Sequence, residues 1–344
     1  MKRYDSSRPV TAALAFPELS TKTGFANVLD VIGYNYKEHL YEADHARFPN
    51  KAILGSENGN NYKQWRAVLD HEYISGQFLW TGIDFLGETR GWPSHGSHAG
   101  LIDQAGFVKP IGFYRAALWS DQPICKLYAR RLSLSTTSST NKADDRRRLY
   151  DNSWSTDWAF PDCTEVEVIC LTNAPAAELW LNGKSLGKKA TVDSSDQTLT
   201  WSVVFKSGII RAAGLRGTNS SIELSSDKLH SSGAPCTIRL ITDTESLCAG
   251  ELDMAHIIAE ITDSFDRRVD NAEHLLNIEV TGGKLLGLEN GDLEDTQPYA
   301  LPYRRTKGGR LLIYAAAAES AGELAVRVWS EKLGEARLEI PCLA

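Results

Sequence analysis

Three short apolar runs, each breaking off into polar and aromatic residues, constrain this chain more than any other feature of it. They are Leu29-Asp30-Val31-Ile32-Gly33-Tyr34-Asn35-Tyr36, Ala52-Ile53-Leu54-Gly55-Ser56-Glu57 and Gly76-Gln77-Phe78-Leu79-Trp80-Thr81-Gly82-Ile83-Asp84-Phe85. Apolar runs bounded by turn residues read as buried strands. Between the second and third, Trp65, Val68, Leu69 and Tyr73 recur at near-helical spacing. Strand–helix–strand order implies parallel strands joined by right-handed crossovers. Asn35 and Tyr36, then Glu57, then Trp80 and Asp84 stand at the ends of the runs. Polar and aromatic groups gathered at the C-terminal ends of parallel strands mark the active face of a (β/α)8 barrel. Three strands do not close such a barrel. Residues 1–120 are therefore expected to form a partial TIM barrel, its last strands only.

Beyond Trp119 the pattern changes. Residues 121–160 read as irregular, with a Ser/Thr-rich linker at 133–141 and a basic run, Arg146-Arg147-Arg148. From Thr164 onward short strands follow one another. Leu179-Trp180-Leu181 runs into Asn182-Gly183, the strongest short hairpin signal. Regular strands with Gly, Asn and Asp turns predict two immunoglobulin-like all-β sandwiches, in residues 121–231 (with the linker) and 232–344. Ala315-Ala316-Ala317-Ala318 is locally helical, but its flanks favour a strand running into a loop.

A net charge of −7 argues against a nucleic-acid partner, whose footprint would be basic. No stretch has the length of a transmembrane helix, so no membrane partner is expected. Met1-Lys2-Arg3-Tyr4-Asp5 is not a signal peptide, and the chain as written reads as cytoplasmic. The six cysteines are scattered without a Cys-x-x-Cys pair, which speaks against zinc and leaves pairing open. His95 and His98 lie in a Gly/Ser loop without a third ligand, so no metal and no cofactor is expected.

By itself Glu57 reads as a solvated loop acid. Its neighbours change that. Tyr34-Asn35-Tyr36, Gly55-Ser56-Glu57 and Phe78-Leu79-Trp80-Thr81-Gly82-Ile83-Asp84-Phe85-Leu86-Gly87-Glu88, taken in order, closely resemble the end of the catalytic barrel of glycoside hydrolase family 2. Gly100-Leu101-Ile102-Asp103-Gln104-Ala105-Gly106-Phe107-Val108-Lys109 resembles the segment that follows in its β-galactosidases. Leu179 to Gly187 and Gly287-Leu288-Glu289-Asn290-Gly291-Asp292 resemble the family's C-terminal β-domains. The resemblance implies a retaining exo-glycosidase acting on terminal β-D-galactosides through two carboxyl groups about 5–5.5 Å apart. It makes Glu57 the nucleophile, Tyr36 its hydrogen-bond donor, and Trp80 the floor of the sugar subsite. Asn35, Asp84 and Glu88 are candidate sugar-hydroxyl ligands. The competing readings are a core tyrosine for Tyr36, a strand-end cap for Asn35, barrel-top packing for Trp80, and structural ion pairs for Asp84 and Glu88.

The family's acid/base is a Glu directly after an Asn, and no Asn-Glu dipeptide occurs in this chain. Nor is there a counterpart of the first half of the barrel. The expectation is the C-terminal part of a longer enzyme, periplasmic or secreted in its full form, that carries the nucleophile and is inactive alone. General-acid help is worth roughly 10²–10⁴-fold. A separate N-terminal half would complete it, and a homo-oligomer is the other assembly expected. The rival from another class is a non-catalytic carbohydrate-binding remnant. It gives no chemical reason to keep Tyr36, Glu57 and Trp80 together. A β-glucuronide is the alternative substrate, and would need a cation for the sugar carboxylate, for which Arg90 is the candidate.

Overall fold

A computed structural model describes residues 2–89, 91–132, 148–150, 153–250 and 253–344. The expected linker at 133–141, Arg146, Arg147 and Arg90 lie outside the described residues. The chain divides into two units, Met1–Gly82 with Ser195–Gln197, and Ile83–Ser194 with Thr198–Ala344. No helix among the described residues is long and apolar enough to cross a membrane.

The first unit holds a parallel sheet of four strands in the order β1 (Ala13–Leu14), β2 (Val31–Asn35), β3 (Ala52–Asn58), β4 (Ile74–Leu79). The sequence reading missed β1, which is only two residues long. Helices α1 (Pro17–Lys22), α2 (Tyr41–Arg47) and α3 (Tyr62–Leu69) connect the strands. Proline opens α1, where its missing N–H costs nothing. Asn61 caps α3, its Oδ1 accepting from the Gln64 N–H at 3.0 Å. Leu14, Ile32, Tyr34, Ile53 and Ile74 pack one face of the sheet with Tyr41 of α2. The Tyr34 hydroxyl, buried there, donates to Asp44 Oδ2 at 2.9 Å.

The other face of β2 has no room for side chains at Gly33. A Cβ there would stand 2.5 Å from the Ala12 carbonyl oxygen and 3.0 Å from Ser56 Oγ. The third apolar run is not one strand, as expected, but two. β4 stops at Leu79, and Phe85–Leu86 (β5) belongs to the second unit, where it pairs with Gly96–Ser97 (β6).

The second unit continues with helix α4 (Pro110–Trp119) and is otherwise β. Its first block contains β7 (Cys125–Arg131), β8 (Glu165–Thr172), β9 (Ala176–Leu181), β10 (Lys184–Ala190), β11 (Thr198–Val204), β12 (Ile209–Leu215) and β13 (Glu223–His230). They form two sheets, β10-β9-β12-β13 and β11-β8-β7. Inward residues of both sheets, among them Val168, Cys170, Leu179 and Ile210, share one core around Trp158. Asn182 and Gly183 both take positive φ, 50° and 80°, and close the β9–β10 hairpin in two residues, as the sequence signal requires. The reading of 121–160 as irregular is corrected by β7, which pairs antiparallel with β8 along its whole length.

The second block contains β14 (Thr237–Thr242), β15 (Leu247–Cys248), β16 (Met254–Thr262), β17 (Leu275–Thr281), β18 (Gly283–Glu289), β19 (Tyr303–Arg305), β20 (Arg310–Ala317), β21 (Gly322–Ser330) and β22 (Gly334–Leu343). Its sheets are β14-β16-β20-β18 and β15-β22-β21-β17-β19, and both bury Ile and Leu into one core. β20 runs to Ala317, so the alanine run is strand giving way to loop.

Carboxylates fasten the two blocks. Asp270, after β16, accepts from Ser155 Oγ (2.9 Å), Thr156 N (2.7 Å) and Thr156 Oγ1 (2.9 Å) of the first block, and pairs with Arg268 at 2.7 Å. The passage from β13 to β14 is held from both sides. Asp157 takes the N–H and hydroxyl of Ser232, and Asp263 takes the Gly233 N–H at 2.7 Å.

Candidate active site

The C-terminal ends of β2, β3 and β4 bring four of the six expected site residues into one neighbourhood, and a single extra residue sets their directions. In the β2–β3 ladder Ile32 pairs with Ile53 and Tyr34 with Gly55, but Asn35 pairs with Glu57. Ser56 is the inserted residue of a β-bulge. Without it, alternation from Ile53 through Gly55 would send Glu57 to the apolar face with Tyr34. The bulge turns it over, onto the face of Asn35. The Asn35 amide then donates to Glu57 Oε2 at 3.2 Å, and Ser56 Oγ donates to Asn35 Oδ1 at 2.9 Å. Ser56 thereby orients the amide, so that its NH₂ rather than its oxygen meets the carboxylate. The same insertion shifts the register toward β4, where Asn58 pairs with Leu79.

The backbone fixes the other two. Tyr36 has φ 55°, and its N–H donates to the Glu57 carbonyl at 2.9 Å. The Trp80 N–H donates to the Asn58 carbonyl at 2.9 Å, and the Trp80–Thr81 peptide is cis. Both rings remain open to solvent, Tyr36 by 42% and Trp80 by 38%. Glu57 is half-buried, while Asn58 and Asn60 beneath it are buried. A carboxylate side chain with an oriented amide donor, flanked by two exposed aromatic faces, is equipped to attack an electrophilic carbon of a flat, hydroxylated ligand.

Asp84 and Glu88 belong to the second unit. Asp84 is buried, and its carboxylate is taken up within the unit. Lys109 Nζ reaches both oxygens, at 2.8 and 3.1 Å, and the Gly100 N–H donates to Oδ1 at 2.8 Å. Lys109 also donates to the His98 carbonyl, and His98 Nδ1 stands 3.8 Å from Asp84. Both Asp84 oxygens are thus engaged in an ion pair within the unit. Glu88 is exposed in the loop after β5, with φ 51°. His95 Nδ1 lies 3.2 Å from the Pro93 carbonyl. No group of three His, Cys, Asp or Glu side chains among the described residues could hold a metal. Missed by the sequence reading were Ser56, whose small size beside Gly55 and opposite Gly33 is the signal, and Lys109, whose partner lies too far along the chain to be inferred.

Comparison with known proteins gives the class this chain is similar to. A family described as "Glycoside hydrolase family 2 C-terminal domain 5" matches residues 238–339, and a domain of unknown function, DUF4982, matches residues 164–220. The β-galactosidase BoGH2A of Bacteroides ovatus is 25% identical over 390 residues, covering 99% of this chain and 42% of that protein. A putative β-glucuronidase of Formosa agariphila is 27% identical over 160 residues, 44% of this chain and 13% of that protein. The crystal structure of a glycosyl hydrolase family 2 member from Bacteroides cellulosilyticus superposes with a TM-score of 0.88 at 28% identity, over 100% of this chain and 46% of that one. These relatives are glycoside hydrolases. More narrowly, the chain matches the C-terminal part of family 2 enzymes, and it spans less than half the length of the relatives it matches in full.

Proposed function

We propose that this chain is the nucleophile-bearing part of a retaining exo-glycosidase that hydrolyses terminal β-D-galactosides. In this reading the four-stranded parallel sheet is the last part of a (β/α)8 barrel within residues 1–120. The two β blocks, within 121–231 and 232–344, are immunoglobulin-like sandwiches. Glu57 attacks the anomeric carbon and forms a glycosyl-enzyme, which water then hydrolyses. The Asn35 amide holds the carboxylate in its attacking orientation. The Tyr36 hydroxyl serves as its hydrogen-bond donor, and the Trp80 ring carries the apolar face of the hexose. Glu88 is kept as a hydroxyl ligand, while the ion pair with Lys109 leaves Asp84 a supporting role. The acid/base, a Glu after an Asn, is supplied by residues outside this sequence. Without it the leaving group departs unprotonated, and this chain alone is inactive on unactivated glycosides.

The observation that carries the reading is the bulge at Ser56, which turns Glu57 out of the apolar face and onto Asn35. The galactoside preference leans on the β-galactosidase of B. ovatus, alignable over nearly the whole chain. A polypeptide joining this chain to the Asn-Glu segment tests it, treated with an activated dinitrophenyl glycoside of a deoxyfluorogalactose. One fluoroglycosyl adduct should form, on Glu57, and Glu57→Gln should form none while losing ~10³-fold or more in turnover. An adduct on another carboxylate, or full activity in Glu57→Gln, refutes the assignment.

A further inference from the structure

The second unit has a half-open cavity of about 550 Å³ where the loop before α4, the first β block and the second β block meet. That volume accommodates one or two sugar rings. Two of the polar groups lining it have no hydrogen-bond partner among the described residues. The Arg310 guanidinium, three-quarters covered, has five N–H donors, yet no acceptor among the described residues is within hydrogen-bond reach. Its nearest carboxylate oxygen, on Asp103, is 3.8 Å away. It lies instead over the Phe107 ring, 3.6 Å from the centroid. The Tyr128 hydroxyl also has no hydrogen-bond partner among the described residues, although Tyr128 is only 5% exposed.

The other cations of the wall are committed. Arg268 bonds Asp270 and Thr156, and Lys126 lies 3.2 Å from Asp227. Burial pushes the Arg310 guanidinium down to about 10, and it pushes the Asp103 carboxyl up to about 6 despite the Phe107 N–H and Arg310. A largely covered guanidinium whose N–H groups have no hydrogen-bonding acceptor in the wall leaves those donors open to the cavity. An oxyanion entering the cavity would supply the missing partner, bidentate on Arg310.

We propose that this cavity binds a hydroxylated carboxylate of the size of a sugar acid, its carboxylate on Arg310 and a ring hydroxyl on Tyr128. The site is built entirely from residues of the second unit, and it makes no use of Glu57. Titration calorimetry on the 344-residue chain tests it, with D-glucuronate as the probe and glucose and inorganic sulfate as comparisons. Glucuronate is expected to bind one to one, at least about tenfold tighter than glucose or sulfate. Arg310→Gln should weaken it by about tenfold or more and Tyr128→Phe by a few-fold. Asp103→Asn should tighten it, because the competing negative charge goes while the side chain still accepts from Phe107. Glu57→Gln should leave the affinity unchanged, which separates this cavity from the strand-end site.

Absence of glucuronate binding, or equal affinity for glucose, overturns the proposal. Sulfate binding as tightly as glucuronate also overturns it, by reducing the site to an inorganic oxyanion pocket. So does wild-type affinity in Arg310→Gln, or weakening in Asp103→Asn, whose sign a generally loosened fold would not reproduce.

Discussion

Asp263 offers the sharpest test of how the β blocks are held, because everything around it is donor. Its side chain is 1% exposed. Oδ1 accepts from the N–H of Phe265 (2.9 Å) and of Arg267 (3.1 Å), and Oδ2 from Gly233 N (2.7 Å) and Arg267 Nε (2.9 Å). Burial opposes ionisation, but the Arg267 guanidinium and the three N–H groups outweigh it and hold the carboxyl well below the usual range. Asp263→Ala removes four acceptor contacts and strands a guanidinium, a loss of about 3–5 kcal/mol. Asp263→Asn keeps the Oδ1 bonds and turns an NH₂ toward Gly233 and Arg267, for a loss of about 2 kcal/mol. The sign with pH follows from the direction of the shift. A carboxyl depressed in the folded state contributes its stability above the unfolded value, near 4, and loses it as pH falls toward the folded value. Urea unfolding of wild type and Asp263→Asn at a series of pH values from about 7 to 3 should therefore show a gap that is constant above pH ~5 and narrows progressively below ~4. A gap as wide at pH ~3 as at pH ~7 would refute the claim that ionised Asp263 is what fastens this turn.

Three further outcomes follow from contacts already described. Asn35→Ala, in a polypeptide with the Asn-Glu segment, should lower kcat/KM for an aryl galactoside by roughly 10–100-fold through loss of a hydrogen bond to a charged group, with little change in melting temperature. Gly33→Ala should cost about 1–3 kcal/mol in urea unfolding, because its Cβ meets the Ala12 carbonyl at 2.5 Å, and should disturb the Ser56–Asn35 bond as well. Lys109→Met leaves the Asp84 carboxylate buried without its cation, so it should destabilise by about 3–5 kcal/mol, and Asp84→Asn in the same chain should recover part of the loss.

The parts of the structure legible in the sequence are those that advertise burial. β2 and β3 stand out because Val, Ile and Leu crowd into a few positions, and the Asn182-Gly183 hairpin because few other dipeptides take two positive φ values. β7 escaped notice because its buried stretch, Leu127 to Ala129, is only three residues long and is hemmed in by Lys126, Arg130 and Arg131, with Pro123 just before the strand. β13 is an edge strand whose Glu, Ser and Lys side chains face solvent, so it carries almost no apolar pattern. The site was half legible. Residue types and order pointed to Glu57, Asn35, Tyr36 and Trp80, whereas the bulge is a relation between two strands, and no single run of residues encodes a register. The fate of Asp84 was hidden for a similar reason. Its cation sits 25 positions further on, and only the folded chain closes that distance.

The fastening of the two β blocks has a mechanical consequence. Asp270 reaches across to Ser155 and Thr156, and the short passage between the blocks is pinned at Ser232 by one block and at Gly233 by the other. A connector clamped at adjacent residues from opposite sides has no free length in which to pivot. Pulled from its ends, this part of the chain should yield as one body, with a single rip at the force that shears both clamps. Loosening either clamp should split that event in two, and the second block would then swing as a pendant on a few residues of slack.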